Sequence, residues 1–186
     1  MSMYHLVDDT NGAVEDIPFR LLIMVLLLAG TVSIATSGIT KISELNMQKQ
    51  LTEEMDSLGE VALATSSSGS GTTIHYVLEL PYTEAVSVSE LKIGGDFSND
   101  DDPFSSTFRI ELTNGRSIFG TLTPGHHELN ITNAQADGPY IPPINNGKIA
   151  ITLVAIDCQN QNLIVMMDQD KAQSFDKNTI LDNNEC

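Results

Sequence analysis

LLIMVLLLAGTVSIATSGIT, residues 21–40, carries no charge from its first position to its last. At about 1.5 Å of rise per residue, about 20 helical residues cover the roughly 30 Å hydrocarbon core of a bilayer. A charge at the bilayer centre costs at least about 2.5 kcal/mol, so an uncharged run of this length is informative. The competing reading is a buried helix of a soluble protein, but such helices seldom run this long without one polar face. The stretch predicts a single transmembrane span inside Phe19 to Ile42.

The flanks say what kind of span it is. Arg20 and Lys41 bracket the run, and the residues before it are acidic: Asp8, Asp9, Glu15 and Asp16. A cleaved secretory signal has a basic leading region, a shorter apolar core and a small-residue cleavage site after that core, and this segment fits none of these well. The distribution of basic residues gives little guidance on orientation, since Arg20 stands alone on one side and Lys41 and Lys49 lie on the other. Far more chain follows the span than precedes it, so the folded work lies on the C-terminal side.

Composition bounds that side. The chain has 9 Lys+Arg against 25 Asp+Glu, a formal net charge of -16. Such a surface repels nucleic acid and anionic headgroups, which argues against a nucleic-acid partner. Aromatics make up only 5% and Trp is absent, which weighs against a carbohydrate or aromatic-cage site. Two cysteines, Cys158 and Cys186, are too few for a disulfide scaffold; their separation permits one bridge without requiring it.

From Ile42 to Ala64 the pattern stays helical. Ile42, Leu45, Leu51, Met55, Leu58 and Ala62 recur at steps of three and four, with Gln48 as the one gap, and Asn46, Lys49, Gln50, Glu53, Glu54 and Asp56 lie between them. With no proline between span and stripe, the two read as one long helix. Its apolar stripe has to pack on the downstream domain or on copies of itself. Residues 65–72, TSSSGSGT, read as a flexible Ser/Gly linker.

Beyond residue 72 the periodicity changes from helical to alternating. Strands are predicted over 73–80, 85–93, 107–113, 116–122, 127–132, 148–156 and 162–167. Asn114-Gly115 between alternating runs predicts a tight hairpin with both central residues at φ > 0. Residues 148–156 are nearly apolar on both faces, as a central strand should be. The fold class read from this is α+β: a transmembrane-plus-stalk helix, then an antiparallel β-sandwich over 73–168, then an acidic, loosely ordered tail over 169–186.

Three stretches together resemble the archaeal type IV pilin-like and archaellin-like proteins. Residues 12–19, GAVEDIPF, look like the cleavage region of a class III (prepilin-type) signal peptide ahead of the span. The uninterrupted membrane-to-stalk helix is the second. The strand set with Glu79-Leu-Pro81, Leu91-Lys-Ile-Gly-Gly95 and Leu122-Thr-Pro-Gly-His126 is similar to the ectodomains that follow such helices. The resemblance implies an Ig-like or pilin-type ectodomain outside the cell, a leader over 1–12 and a mature helix over 13–64. It implies that a prepilin peptidase cuts between Gly12 and Ala13, and that Glu15 or Asp16 neutralises a neighbouring terminal amine. It implies a structural subunit of a cell-surface filament, held by lipid before assembly and by self or related subunits afterwards. Small residues such as Gly30, Ala35 and Gly38 would let helices approach closely. Thr10-Asn11 stand where a Lys or Arg usually precedes the cleavage glycine, and from the residues alone Thr10 or Asn11 equally caps a helix whose first turn holds Glu15 and Asp16. A permanently anchored surface-binding module with the same sandwich is the alternative.

Other candidate chemistry is sparse. Asp96, Ser98, Asp100 and Asp102 sit at alternate positions, a spacing used by calcium loops, but the central glycine and distal Glu of an EF-hand are missing; a solvated acidic loop is the favoured reading. His126 and His127 are adjacent in an extended segment and diverge, so no metal is expected there. His75 reads as structural. Asn130-Ile131-Thr132 is an N-glycosylation sequon. No nucleophile–base pair or nucleotide loop stands out, so no catalytic residue, cofactor or enzymatic activity is expected.

Overall fold

In the computed structural model, residues 12–83, 86–95, 105–122, 129–144, 147–158 and 161–176 are described, without the side chains of 12–17, 40 and 161. One long N-terminal helix is followed by mostly antiparallel sheets. The helix, α1, spans Gly12–Ser67 with Pro18 inside it. The chain divides into two compact units, Met1–Ser43 and Glu44–Cys186, with the boundary inside α1.

The described part of the first unit is helix alone. The second begins with the amphipathic end of α1. Met47, Leu51, Met55, Leu58 and Ala62, at helical spacing, are all buried, while Thr52, Glu53, Asp56 and Ser57 face solvent. Each buried Leu or Met contributes about 1.5–3 kcal/mol of apolar transfer. From Leu51 onward the expected stripe packs in one core with residues of the strands, whereas Ile42 and Leu45, expected on the same face, are exposed, and Met47 takes the first buried position.

The strands are β1 (Thr73–Glu79), β2 (Val88–Ile93), β3 (Thr107–Leu112), β4 (Ser117–Thr121), β5 (Asn130–Thr132), β6 (Lys148–Cys158) and β7 (Gln161–Asp168). They form a four-stranded sheet, β1-β6-β7-β5, and a three-stranded sheet, β2-β3-β4. Backbone bonds between Ile93 and Tyr140, and from Ile131 N–H to Ser105 O at 3.3 Å, stitch the two together. β6 is central, as its apolar run implies. Ile149, Ile151 and Leu153 turn to the core shared with α1, while Val154, Ile156 and Cys158 join Leu163, Val165 and Met167 in a second cluster. Phe175 and Ala172 pack against that second cluster, and a short helix, α2 (Gln169–Ala172), starts the acidic tail, so its first residues are ordered and not loose.

Three local readings change. β5 pairs with β7 in parallel, a departure from the purely antiparallel expectation; the chain passes from β5 to β6 and returns along β7, so β7 lies between them. The hairpin at Asn114-Gly115 is a three-residue loop. Leu112 N–H donates to Arg116 O, Gly115 N–H donates to Leu112 O, and only Gly115 has positive φ, at 80°. A type I turn closed by a left-handed glycine needs no strained asparagine, and Asn114 Oδ1 instead accepts from Arg116 N–H at 3.1 Å. Finally, α1 runs through Thr65 and Ser66, both buried, and ends at Ser67. The remaining connection is pinned: Gly71 N–H donates to Ala155 O at 2.7 Å and Ala155 N–H to Thr72 O at 2.9 Å. The 65–72 stretch is therefore helix end and strand lead-in, where composition alone reads as a free linker.

At Gly59 the backbone of α1 comes close against Leu122, the residue after β4. A Cβ there would lie 1.8 Å from Leu122 O, a backbone atom that cannot swing aside. Gly59→Ala is therefore expected to cost about 1–3 kcal/mol through overpacking, more than the up to about 1 kcal/mol gained in helix propensity. Thermal unfolding checks this, with Gly30→Ala, whose Cβ meets nothing within 4 Å, as the control that keeps the propensity gain and does not lower the melting temperature.

Candidate membrane-spanning surface

The segment of α1 from Phe19 to Ile42 is exposed. Leu21, Leu22, Ile23, Met24, Val25, Leu26, Leu27 and Leu28 are all large, apolar and uncovered, and none of the helix's most apolar window is buried. A soluble monomer rarely leaves an apolar patch above about 300–600 Å² open to water. The helix is long and apolar enough to cross a membrane.

Its polar residues are compatible with hydrocarbon. Thr31 Oγ1 donates to Leu28 O at 2.9 Å, Thr36 Oγ1 reaches Val32 O and Ser33 O at 3.0 Å, and Ser37 Oγ donates to Ser33 O at 2.9 Å. Each of these hydroxyls returns to a carbonyl of the preceding turn, which removes most of the penalty of carrying it into lipid.

The expected helix-contact residues are placed as follows. Gly30 and Gly38 have open space where a Cβ would stand, and Ala35 is exposed. At 100° per residue the three spread over about 140° of the helix and do not make one narrow stripe. Ala29, Ser33 and Ser37, at strict four-residue spacing, align more closely, within about 80°. Gly12 opens α1, and Ala13, Glu15 and Asp16 follow within its first turns.

The remaining sites scatter over the strand domain. The calcium candidates Asp96, Ser98, Asp100 and Asp102, and the pair His126-His127, lie outside the described residues. Among the described residues no three His, Cys, Asp or Glu side chains gather at metal-binding distance. His75 Nδ1 lies 2.9 Å from Thr152 Oγ1 across the β1–β6 ladder. Asn130 opens β5, but Thr132 of its sequon is buried and its hydroxyl donates to Gly138 O at 3.1 Å. Cys158 is disulfide-bonded at the end of β6; Cys186, the other cysteine of the chain, lies outside the described residues. A shallow groove of about 530 Å³ lies over Leu80, Pro81, Tyr82 and Ile144.

Two features had no sequence signal. Glu44 accepts from Arg116 Nη1 at 2.9 Å and Asn114 Nδ2 at 3.1 Å, fixing the β3–β4 loop to α1. Tyr140 donates its hydroxyl to Asp168 Oδ1 at 2.7 Å, and Lys171 Nζ holds the other oxygen at 3.0 Å. Burial, then the bonded Asp168 carboxylate, raises the Tyr140 phenol well above its ordinary 10.0. Burial, then the nearby Glu54 carboxylate, raises Tyr76 as well. These contacts pair residues far apart in the chain, which periodicity cannot see. No family model matches the chain, and no curated protein or solved structure matches it either.

Two outcomes follow from this geometry. Leu26→Arg, at the middle of the apolar run, should cost insertion at least about 2.5 kcal/mol and move the protein out of the carbonate-resistant membrane fraction. Tyr140 holds its proton more tightly folded than unfolded, so its contribution to stability is full below the unfolded value near 10.0 and declines as pH rises beyond it. Tyr140→Phe should lower stability by about 1 kcal/mol at neutral pH and flatten the loss of stability above pH 10, read by denaturant titration at several pH values.

Proposed function

We propose that the chain is a pilin-like structural subunit of an archaeal cell-surface filament, anchored in the membrane by α1 before assembly and joined to its own kind or to related subunits through that helix afterwards. The observation that carries this reading is a wholly exposed apolar segment on a helix whose other end is a wall of the strand domain's core. A plain anchor needs only lipid on its apolar end and tolerates any connection to its cargo. A subunit that trades lipid for neighbouring helices benefits when the same helix continues into its folded domain, because the chain that is held in the assembly is then also part of the domain's core.

On this reading the two sheets are the facing layers of a pilin-type sandwich, displayed outside the cell on the filament surface. The excess of acidic residues keeps that surface solvated and limits aggregation. Prepilin peptidase removes residues 1–12 between Gly12 and Ala13, and Glu15 or Asp16 then meets a neighbour's new terminal amine. The role is structural and not catalytic.

Intact-mass analysis of the protein extracted from its native membranes tests this. Loss of residues 1–12, together with the subunit in sheared surface filaments seen by electron microscopy, is the expected result. A full-length mass and absence from such filaments would sink the subunit reading and leave a permanently anchored module.

A further inference from the structure

The four sheet edges of this domain are not protected alike. β1 and β5 are the edges of one sheet, β2 and β4 those of the other. Open edges recruit other chains, and proteins blunt them with short strands, bulges, lysines or covering segments. β5 is only three residues long, and Ile131 is bonded to Ser105. β2 has a register shift between Val88 and Glu90, a lysine at position 92, and reciprocal bonds from Ile93 to Tyr140 at 2.9 and 2.7 Å. Among the described residues, β1 and β4 have none of these devices. The register of β1 with β6 is unbroken over its whole length, and neither β1 nor β4 contains proline, lysine or arginine.

The ladder phase shows which groups those edges offer. Leu80 N–H donates to Gly147 O and Ala155 N–H to Thr72 O, so the even-numbered residues of β1 face β6. Thr73, His75, Val77 and Glu79 therefore point their N–H and C=O groups away from the sheet. By the same logic, Leu112 N–H to Arg116 O and Leu122 N–H to Ser106 O leave Ser117, Phe119 and Thr121 pointing outward from β4. These are also the exposed residues of the two strands. No described residue accepts from or donates to these outward backbone groups.

We propose that the β1 edge of one copy pairs with the β4 edge of the next, joining strand domains head to tail. The proposal rests on the subunit reading above and names a second contact for it, outside the helix. Charge selects a second copy at these edges. At a net charge of -16, two copies repel over most of their surfaces. β4 has no ionised side chain, and the one carboxylate of β1, Glu79, is paired with Lys148 at 2.6 Å. Copies therefore meet little repulsion between these strands themselves. Two different edges joined in sequence give a heterologous contact, which repeats from copy to copy as a filament needs unless its rotation closes a ring, whereas β1 on β1 would close a dimer and leave β4 open.

Cysteine cross-linking of full-length protein in native membranes tests the pairing. Copies carrying Val77→Cys, mixed with copies carrying Phe119→Cys, should form disulfide-linked dimers on oxidation, at least tenfold more than either variant alone. Dimers from Val77→Cys alone, or none from the mixture, would overturn the proposal. Val77→Pro gives a second arm: it removes an outward N–H and leaves the β1–β6 ladder whole. It should keep the wild-type melting temperature and lose surface filaments at least tenfold; a folded Val77→Pro chain with wild-type filaments would overturn the pairing. Filaments without cross-links refute this contact alone, whereas cross-links in cells that make no filaments refute the subunit reading and leave the contact standing.

Discussion

The burial of Met47, Leu51, Met55, Leu58 and Ala62 against the strands is the interaction on which the second unit depends. Neither sheet is large, one of them has three strands, and each needs a partner for its apolar face. The end of α1 supplies that partner to both, with Tyr76 of β1 at 3.5 Å from Glu54 and Arg116 beside β4 at 2.9 Å from Glu44. Gly59 lets the helix backbone come against Leu122, where any side chain would hold it off. The exposed ion pair contributes little energy by itself, so apolar packing does most of the holding.

Much of this was legible in the residues. A helix long and apolar enough to cross a membrane followed from an uncharged run, the amphipathic end of α1 from spacing, and the central position of β6 from a strand apolar on both faces. What escaped were features decided by tertiary contacts. Thr65 and Ser66 belong by composition to a linker, yet the core extends far enough to bury them. Asn114-Gly115 signals a hairpin correctly but not its loop length, because a three-residue loop with one left-handed glycine uses the same two residues. The parallel pairing of β5 depends on which strand lies between β5 and β6, and no local pattern encodes that.

The candidate surface was legible in a similar way. Its apolar extent was plain, whereas the hydroxyl bonds of Thr31, Thr36 and Ser37 that make it compatible with lipid needed coordinates. The outward phase of β1 and β4 also lay beyond the sequence. Alternation shows which side chains share a face, but which backbone groups are spent inside a sheet depends on the strand order.

The pinned connection between α1 and β1 also bears on mechanics. Ser68 to Thr72 are bonded back to the helix end and forward to Ala155, so the chain has no slack between the end of α1 and the sheet. A pull between the end of α1 and β1 therefore meets backbone hydrogen bonds, including those to Ala155 of the central strand, before this stretch can lengthen. Little give between helix end and first strand is the mechanical character of that short connection.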